Sequence, residues 1–297
     1  VIKGTDVRLL WRTDVHIGDR SPVSRADDWK LVCLDKLRQV GKIAKDVGAA
    51  AVLDGGDFFH IKSPSRNSHK LVASVAALHA KYPCPVYANV GNHDCVYGDY
   101  SYLGQQPLGV MYDTGSIQRL YDEHQGVFTA PGTQVRVVGI PYHGTVYDWE
   151  RFEKAASSRQ PGDTHLIVVG HVLASKAGGK MFEGEDIIKY SDLVTRGTLS
   201  QDDLARKPCT VELVCAGDGT VTANRHNLVV AAPEECFDLD RREAVQAREV
   251  AVGGFVQSLQ SALVGSGNSD SLLDTVRALS IEPRLRERAI VYLEGVG

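Results

Sequence analysis

Pro85-Val86-Tyr87-Ala88-Asn89-Val90-Gly91-Asn92-His93-Asp94 is the stretch that decides the fold. Val86 to Val90 is a short apolar run between turn residues, which predicts a buried strand. It breaks at a glycine and ends in an amide, an imidazole and a carboxylate. Chance predicts only about 0.002 occurrences of Gly91-Asn92-His93-Asp94 in a chain of this composition, so the tetrapeptide points to a site at the strand end.

The same arrangement recurs on either side. Ala50 to Leu53 reads as a strand running into Gly55-Gly56-Asp57-Phe58-Phe59-His60, where the glycines let the backbone turn and present a carboxylate. Val7 to Trp11 reads as a strand ending near Asp14-Val15-His16, a triplet that chance supplies about 0.8 times and that is weak alone. Downstream, Val135 to Ile140 and Leu166 to Val169 are further strands, the second leading into Gly170-His171. Between the first three strands lie two helices. Asp28 to Val47 spaces Leu31, Leu34, Leu37, Ile43, Ala44 and Val47 mostly three or four apart, with Asp27 or Asp28 near the N-cap, and a second helix spans Ser68 to His79.

Strands and helices in the order β-α-β-α-β predict a sheet with parallel strands and crossover helices on its faces. From about Gly115 the pattern changes to short strands without intervening helices, including Thr210 to Cys215 and Val221 to Ala223 around Gly217 to Gly219. These predict a second sheet packed on the first. The expected fold class is α/β, two packed mixed β-sheets flanked by helices, with a small C-terminal helical segment. After Pro233 the stripe Val252, Phe255, Val256, Leu259 and Leu263 predicts a helix. Gly265 to Ser269 links it to two short helices, striped at Leu272, Val276, Leu279 and at Leu285, Ala289, Leu293. The expected division is therefore 1–232 and 233–297.

Composition narrows the class of function. At ~150 residues per domain, 297 residues make about two domains, and 43% hydrophobic with 24% charged residues excludes a disordered chain. The net charge of −4 excludes blanket attraction to nucleic acid or acidic membrane, leaving only a local basic groove. No apolar run approaches the ~18 residues of a membrane span, and Val1 to Asp14 lacks the basic start of a signal peptide. A soluble, cytoplasmic protein with no membrane partner is expected. The six cysteines are scattered without a CxxC, which predicts reduced, mostly buried thiols.

Carboxylate, imidazole and amide groups thus arrive at successive strand ends, where open α/β sheets bind ligands. Such oxygen and nitrogen donors suit borderline-to-hard divalent ions, and an Asp on a glycine turn can bridge two of them. This is the parts list of a two-metal phosphoester hydrolase, whose ions lie ~3.5 to 4 Å apart.

Asp14-Val15-His16, Gly56-Asp57, Gly91-Asn92-His93-Asp94 and Gly170-His171 together resemble the ordered motifs of the calcineurin-like metallophosphoesterases, over Val7 to about Asn227. Within that superfamily the chain is most similar to the nuclease subunit of SbcCD-type exonucleases, particularly the phage branch. The finer signs are Asp57-Phe58-Phe59-His60 followed by Ser63-Pro64-Ser65, Arg206-Lys207-Pro208 before a strand, and the length of the C-terminal helical part.

The resemblance implies an αββα metallophosphoesterase sandwich in which Asp14, His16 and Asp57 hold one metal and Asp57, Asn92 and His171 hold the other. Manganese is the implied ion, with magnesium as the alternative. His93 would protonate the leaving oxygen, oriented by Asp94. His60 would lie beside the scissile phosphodiester or hold a ligand in place. The implied activity is that of a two-metal-dependent DNA nuclease, exonuclease or endonuclease, serving an SbcCD-like complex in DNA end processing, repair, recombination or replication. Its partners would be DNA, an SMC-like ATPase of the SbcC type docked through residues 233–297, and a second copy in a homodimer. A phosphatase or phosphodiesterase of small substrates, and a catalytically silent DNA-binding scaffold, are the alternatives.

One departure stands against the resemblance. The family carries a further G-H-x-H after Gly170-His171, giving one histidine to each metal, and no H-x-H occurs in these 297 residues. Tyr190-Ser191-Asp192-Leu193 passes straight into Val194-Thr195-Arg196-Gly197, where a strand and that motif would be expected. Either two ligands have been lost or the chain is interrupted, most simply at Leu193 to Val194.

Overall fold

The computed structural model describes residues 4–22, 24–60, 66–96, 99–122, 124–143, 149–171, 174–175, 187–188 and 207–238, with isolated helical positions beyond. The chain divides into two compact units, Val1–Cys236 and Phe237–Gly297. The helices expected over Val252 to Leu293 fall outside the described residues except at single positions such as Val276, which is helical and buried. The Leu193 to Val194 junction also lies outside them.

Four strands of the first unit, β1 (Val7–Arg12), β2 (Ala51–Asp54), β3 (Val86–Ala88) and the short β4 (Gln118–Arg119), are parallel neighbours, the first three in the expected places. A second sheet has the order β5 (Gln125–Ala130), β6 (Thr133–Ile140), β7 (His165–Gly170). Ala174–Ser175 (β8) and Ile187–Ile188 (β9) form a small antiparallel pair. The last strands, β10 (Cys209–Cys215) and β11 (Val221–Asn227), make a hairpin.

Helices α1 (Trp29–Val47) and α2 (His69–His79) begin where sequence places them. The Asp28 carboxylate accepts from the Leu31 amide, the Ser68 hydroxyl accepts from the Leu71 amide, and Gly48 closes α1 in a left-handed turn at φ 65°. Both pack on one face of the first sheet. There Leu10, Val52 and Val86 meet Leu37, Val40, Leu71 and Val75 in one apolar cluster. The alternate residues Val7, Leu9, Ala51 and Leu53 face the second sheet and bury against Phe128, Val135, Val137 and Val169. On the far side of that sheet, Val138 and Ile140 cover Ala155 of a helix that spans Trp149–Ser157. The layers are thus helix, sheet, sheet, helix, the αββα sandwich. A short α3 (Pro107–Asp113) precedes β4, and Trp149–Ser157 is α4.

Two expectations are corrected. The hairpin β10–β11 does not join the second sheet: β10 pairs antiparallel with β1, Val7 opposite Cys215, extending the first sheet to the order β11-β10-β1-β2-β3-β4. Without it β1 would be an edge, and its backbone groups would lack partners. A helix also intervenes after Gly115, because β6 and β7 are parallel and need a crossover, which includes α4. Its nine residues are too few for a clear periodic signal.

The ends of β1 and β2 are joined by a buried ion pair. Arg12, with no exposed surface, donates from Nε to the Asp54 carboxylate at 2.7 Å, from Nη1 to the Tyr82 hydroxyl at 3.0 Å, and from Nη2 to His79 Nε2 at 2.9 Å. His79 Nδ1 donates in turn to the Val75 carbonyl at 2.8 Å, so this imidazole accepts from Arg12 only while neutral. Removing one partner of such a pair typically costs about 3–5 kcal/mol, because the other charge is left buried alone.

Burial, and then the Arg12 charge, push the His79 pKa down to about 3. With an unfolded value of about 6.5, the unfolded chain binds the extra proton between those limits. The contribution of neutral His79 is therefore present above pH 6.5 and is lost as pH falls towards 3, at about 1.4 kcal/mol per pH unit. Replacing His79 by Gln keeps an acceptor for Arg12 and removes the titration. Urea unfolding between pH 7 and 4 should show a shallower loss of stability in His79→Gln than in the natural protein, and parallel losses would exclude His79 as the titrating group.

Candidate metal centre

Beyond Arg12 and Asp54 the two chain segments do not part. Asp14 donates its amide to the Gly56 carbonyl, His16 to that of Asp57 and Ile17 to that of Phe58, each at 3.0 Å, and His60 returns one to Ile17 at 2.9 Å. The loops after β1 and β2 thus run side by side past the strand ends, presenting Asp14, His16, Asp57 and His60 together. Trp29 Nε1, at the start of α1, holds the His16 carbonyl at 3.0 Å.

Three of these residues take a backbone conformation that side chains disfavour: φ is 54° at Asp14, 46° at His16 and 52° at Asp57. Strain of this kind persists where surrounding structure over-determines it and is concentrated at functional sites. A glycine beside Asp57 makes the arrangement fit. A Cβ on Gly91 would lie 2.1 Å from Asp57 Oδ1 and 2.3 Å from the Asp57 amide nitrogen, so only glycine lets the β3 loop approach.

The carboxylate of Asp57 faces two ways. Oδ2 lies 3.7 Å from His16 Nε2, which is also 3.7 Å from Asp14 Oδ1. Oδ1 lies 3.5 Å from His171 Nε2 and accepts the His93 amide at 2.7 Å. His171 Nε2 is in turn 3.2 Å from Asn92 Oδ1, and its Nδ1 donates to the Gly55 carbonyl at 3.1 Å. The structure therefore brings together Asp14, His16, Asp57, Asn92 and His171, four strand ends from two sheets. Burial pulls the His171 pKa down, but Asp57 outweighs it and the value stands at about 9; Asp57 is lowered by the same pairing against its own burial.

His93 and His60 lie at the same edge. The rings of His16 and His93 are 4.8 Å apart, and those of His60 and His93 stack at 5.6 Å. His93 Nδ1 donates to the His60 carbonyl at 2.8 Å, which fixes the orientation of the ring. Burial, then the neighbouring His16 and His93, lower the His60 pKa. The resemblance gives Asp94 the task of orienting His93, yet its hydrogen bonds run elsewhere. Oδ1 accepts from the amides of Phe58 and Phe59 at 3.0 and 3.2 Å, and Oδ2 from that of Gly91 at 3.0 Å. It ties the β2 and β3 loops together, and burial with the charge of Asp57 raises its pKa to about 7.

Among the described residues, two sets have ligand atoms within 4.8 Å of one another, Asp14-His16-Asp57 and His16-His60-His93. The first, two carboxylates and an imidazole, is a donor set for a divalent ion of borderline-to-hard character. The all-histidine set is not foreseen by the motifs. Its signal lies in the second loop itself, since the side-by-side course that pairs Ile17 with His60 sets three imidazoles at one edge. Sequence reasoning also passes over Arg12, Asp54 and Asn89, polar residues inside or at the ends of apolar strands.

The chain belongs to the calcineurin-like phosphoesterases, whose family model matches residues 7–218. Among relatives, the double-strand break repair protein mus-23 of Neurospora crassa is 42% identical over 64 residues. That match takes in 21% of this chain and spans only 8% of the length of the relative. Of solved structures, a Staphylococcus aureus protein assigned as a 5′-nucleotidase, in complex with alpha-ketoglutarate, aligns with a TM-score of 0.47 at 15% identity, over 76% of this chain and 54% of its own. TT1561 of Thermus thermophilus aligns with a TM-score of 0.40 at 12% identity, over 74% and 99%.

Gly91→Ala tests how tightly the centre is built. The added methyl must displace Asp57, and affinity for Mn2+, read by calorimetry, should fall at least about 10-fold, as expected when a ligand loses its support. Unchanged affinity would show that Asp57 tolerates the shift.

Proposed function

We propose that this phosphoesterase is a two-metal-dependent DNA nuclease, the nuclease subunit of an SbcCD-like end-processing complex, using Mn2+ and working as a homodimer with an SMC-like ATPase. The observation that carries the metal chemistry is the two-way carboxylate of Asp57, with Oδ2 towards His16 and Asp14 and Oδ1 towards His171 and Asn92. A single carboxylate so flanked suits two ions set ~3.5 to 4 Å apart. The DNA assignment is supported by the 64-residue likeness to a double-strand break repair protein and by the His60 position in Asp57-Phe58-Phe59-His60.

Bound divalent ions would supply Lewis acidity to the phosphoryl group and to the attacking water. Asp14, His16 and Asp57 would hold one, and Asp57, Asn92 and His171 the other. His93 would deliver a proton to the leaving oxygen from Nε2, its Nδ1 being fixed on the His60 carbonyl. His60, whose ring stacks on that of His93 at 5.6 Å, would lie beside the scissile phosphodiester or hold a ligand in place. Asp94 keeps the backbone of both loops in place, so that Asp57 and His93 hold their separation.

A second reading, a catalytically silent DNA-binding scaffold, is favoured by the lack of any H-x-H in the sequence. Hydrolysis of bis(p-nitrophenyl) phosphate and degradation of duplex ends with Mn2+ separate the two. Asp57→Ala should abolish both activities and leave the fold intact. His93→Ala should retain Mn2+ affinity and lose roughly 10²- to 10⁴-fold in kcat, the usual worth of a general acid. A His93→Ala protein with natural kcat would remove that residue from the chemistry, and a natural protein inert towards both substrates would put the scaffold first.

A further inference from the structure

The proposed ligands are carried by different sheets: Asp14, His16, Asp57 and Asn92 follow β1, β2 and β3, whereas His171 follows β7. The separation of His171 from Asp57 therefore depends on how the two sheets are joined, and besides their apolar packing the Tyr142 amide meets the Val90 carbonyl there at 2.9 Å. Asn89 lies at this joint. It is fully buried one residue beyond β3, and its amide Nδ2 donates to the Ile140 carbonyl at 2.7 Å and to the Val169 carbonyl at 3.0 Å. Those are the last residue of β6 and the next-to-last of β7. Ile140 also accepts the His171 amide at 3.1 Å, so one side chain of the first sheet grips the backbone from which His171 projects.

The rest of the surroundings fits that use. Asn89 Oδ1 is buried without a hydrogen-bond partner, a cost that an apolar side chain of the same shape would avoid. What the position uses is therefore the two donors. Gly139 makes the approach possible, since a Cβ there would lie 1.5 Å from the Leu120 carbonyl oxygen and 3.2 Å from Asn89 Oδ1.

We propose that Asn89 is a positioning residue that sets the second metal subsite, fastening β6 and β7 to β3 so that His171 meets Asp57 and Asn92. The proposal rests on the two-metal reading above. It predicts an unequal effect, because the Asp14-His16-Asp57 set lies wholly on the first sheet and does not depend on the joint.

The test is Mn2+ binding by calorimetry, with electron paramagnetic resonance to distinguish coupled pairs of ions from single ones, in the natural protein, Asn89→Leu and Asn89→Ser. Leucine matches the shape without donors. Serine is the milder change, which keeps the test open if the leucine protein does not fold. In either variant one site should keep its affinity within about threefold, the other should lose about 10- to 100-fold, and the coupled signal should give way to that of single ions. Equal weakening of both sites would mean that Asn89 supports the fold alone, and no weakening would mean that the joint holds without it; both overturn the proposal and leave the two-metal reading standing. A natural protein that takes up only one Mn2+ would overturn that reading, and this proposal with it.

Discussion

The contact between Arg12 and Asp54 constrains everything above it. Neither residue has exposed surface, and each is the last residue of its strand. The guanidinium is satisfied on three sides, by the carboxylate, a tyrosine hydroxyl and a neutral histidine, so its burial is compensated by geometry rather than by solvent. The other Asp54 oxygen accepts the Gly56 amide at 3.1 Å and shapes the turn that presents Asp57. Fixing the relative height of β1 and β2 at this point fixes the register of the two loops beyond it. Asp14, His16, Asp57 and His60 take their places from that register.

What those loops hold is strained. Three of the proposed ligands take left-handed backbone conformations, and the neighbouring Gly56 stands at φ 108°. The strain is tolerated because the loops are hydrogen bonded to one another and Asp94 gathers three backbone amides between them. A carboxylate that a motif reader assigns to orienting a catalytic histidine acts here through backbone. The ring of His93 is held instead by a carbonyl from the opposite loop.

Much of this is legible in the sequence. Apolar runs locate β1, β2, β3, β6 and β7 within a residue or two, and Asp28 and Ser68 mark the helix starts because a side-chain cap needs a specific residue type at a specific place. The motifs locate the five proposed ligands, since strand ends in such sheets converge. What escapes is whatever depends on partners distant in sequence. Nothing local in Thr210 to Cys215 says that it pairs with β1 rather than with β7, because an alternating strand fits either edge. Short α4 carries too few turns to be periodic. The roles of Arg12 and Asn89 are invisible until the strands they join are side by side.

The division of the centre between two sheets has a consequence for how the molecule is made. His171 reaches back 116 residues to the Gly55 carbonyl and 79 to Asn92, so the pocket closes only after the intervening crossovers have been threaded and the sheets have met. Contacts so far apart in sequence are entropically late, and a chain released before they form exposes the facing apolar surfaces of both sheets. A divalent ion that bound only the closed pocket would draw the final assembly forward by mass action, so metal supply would then govern the yield of folded protein.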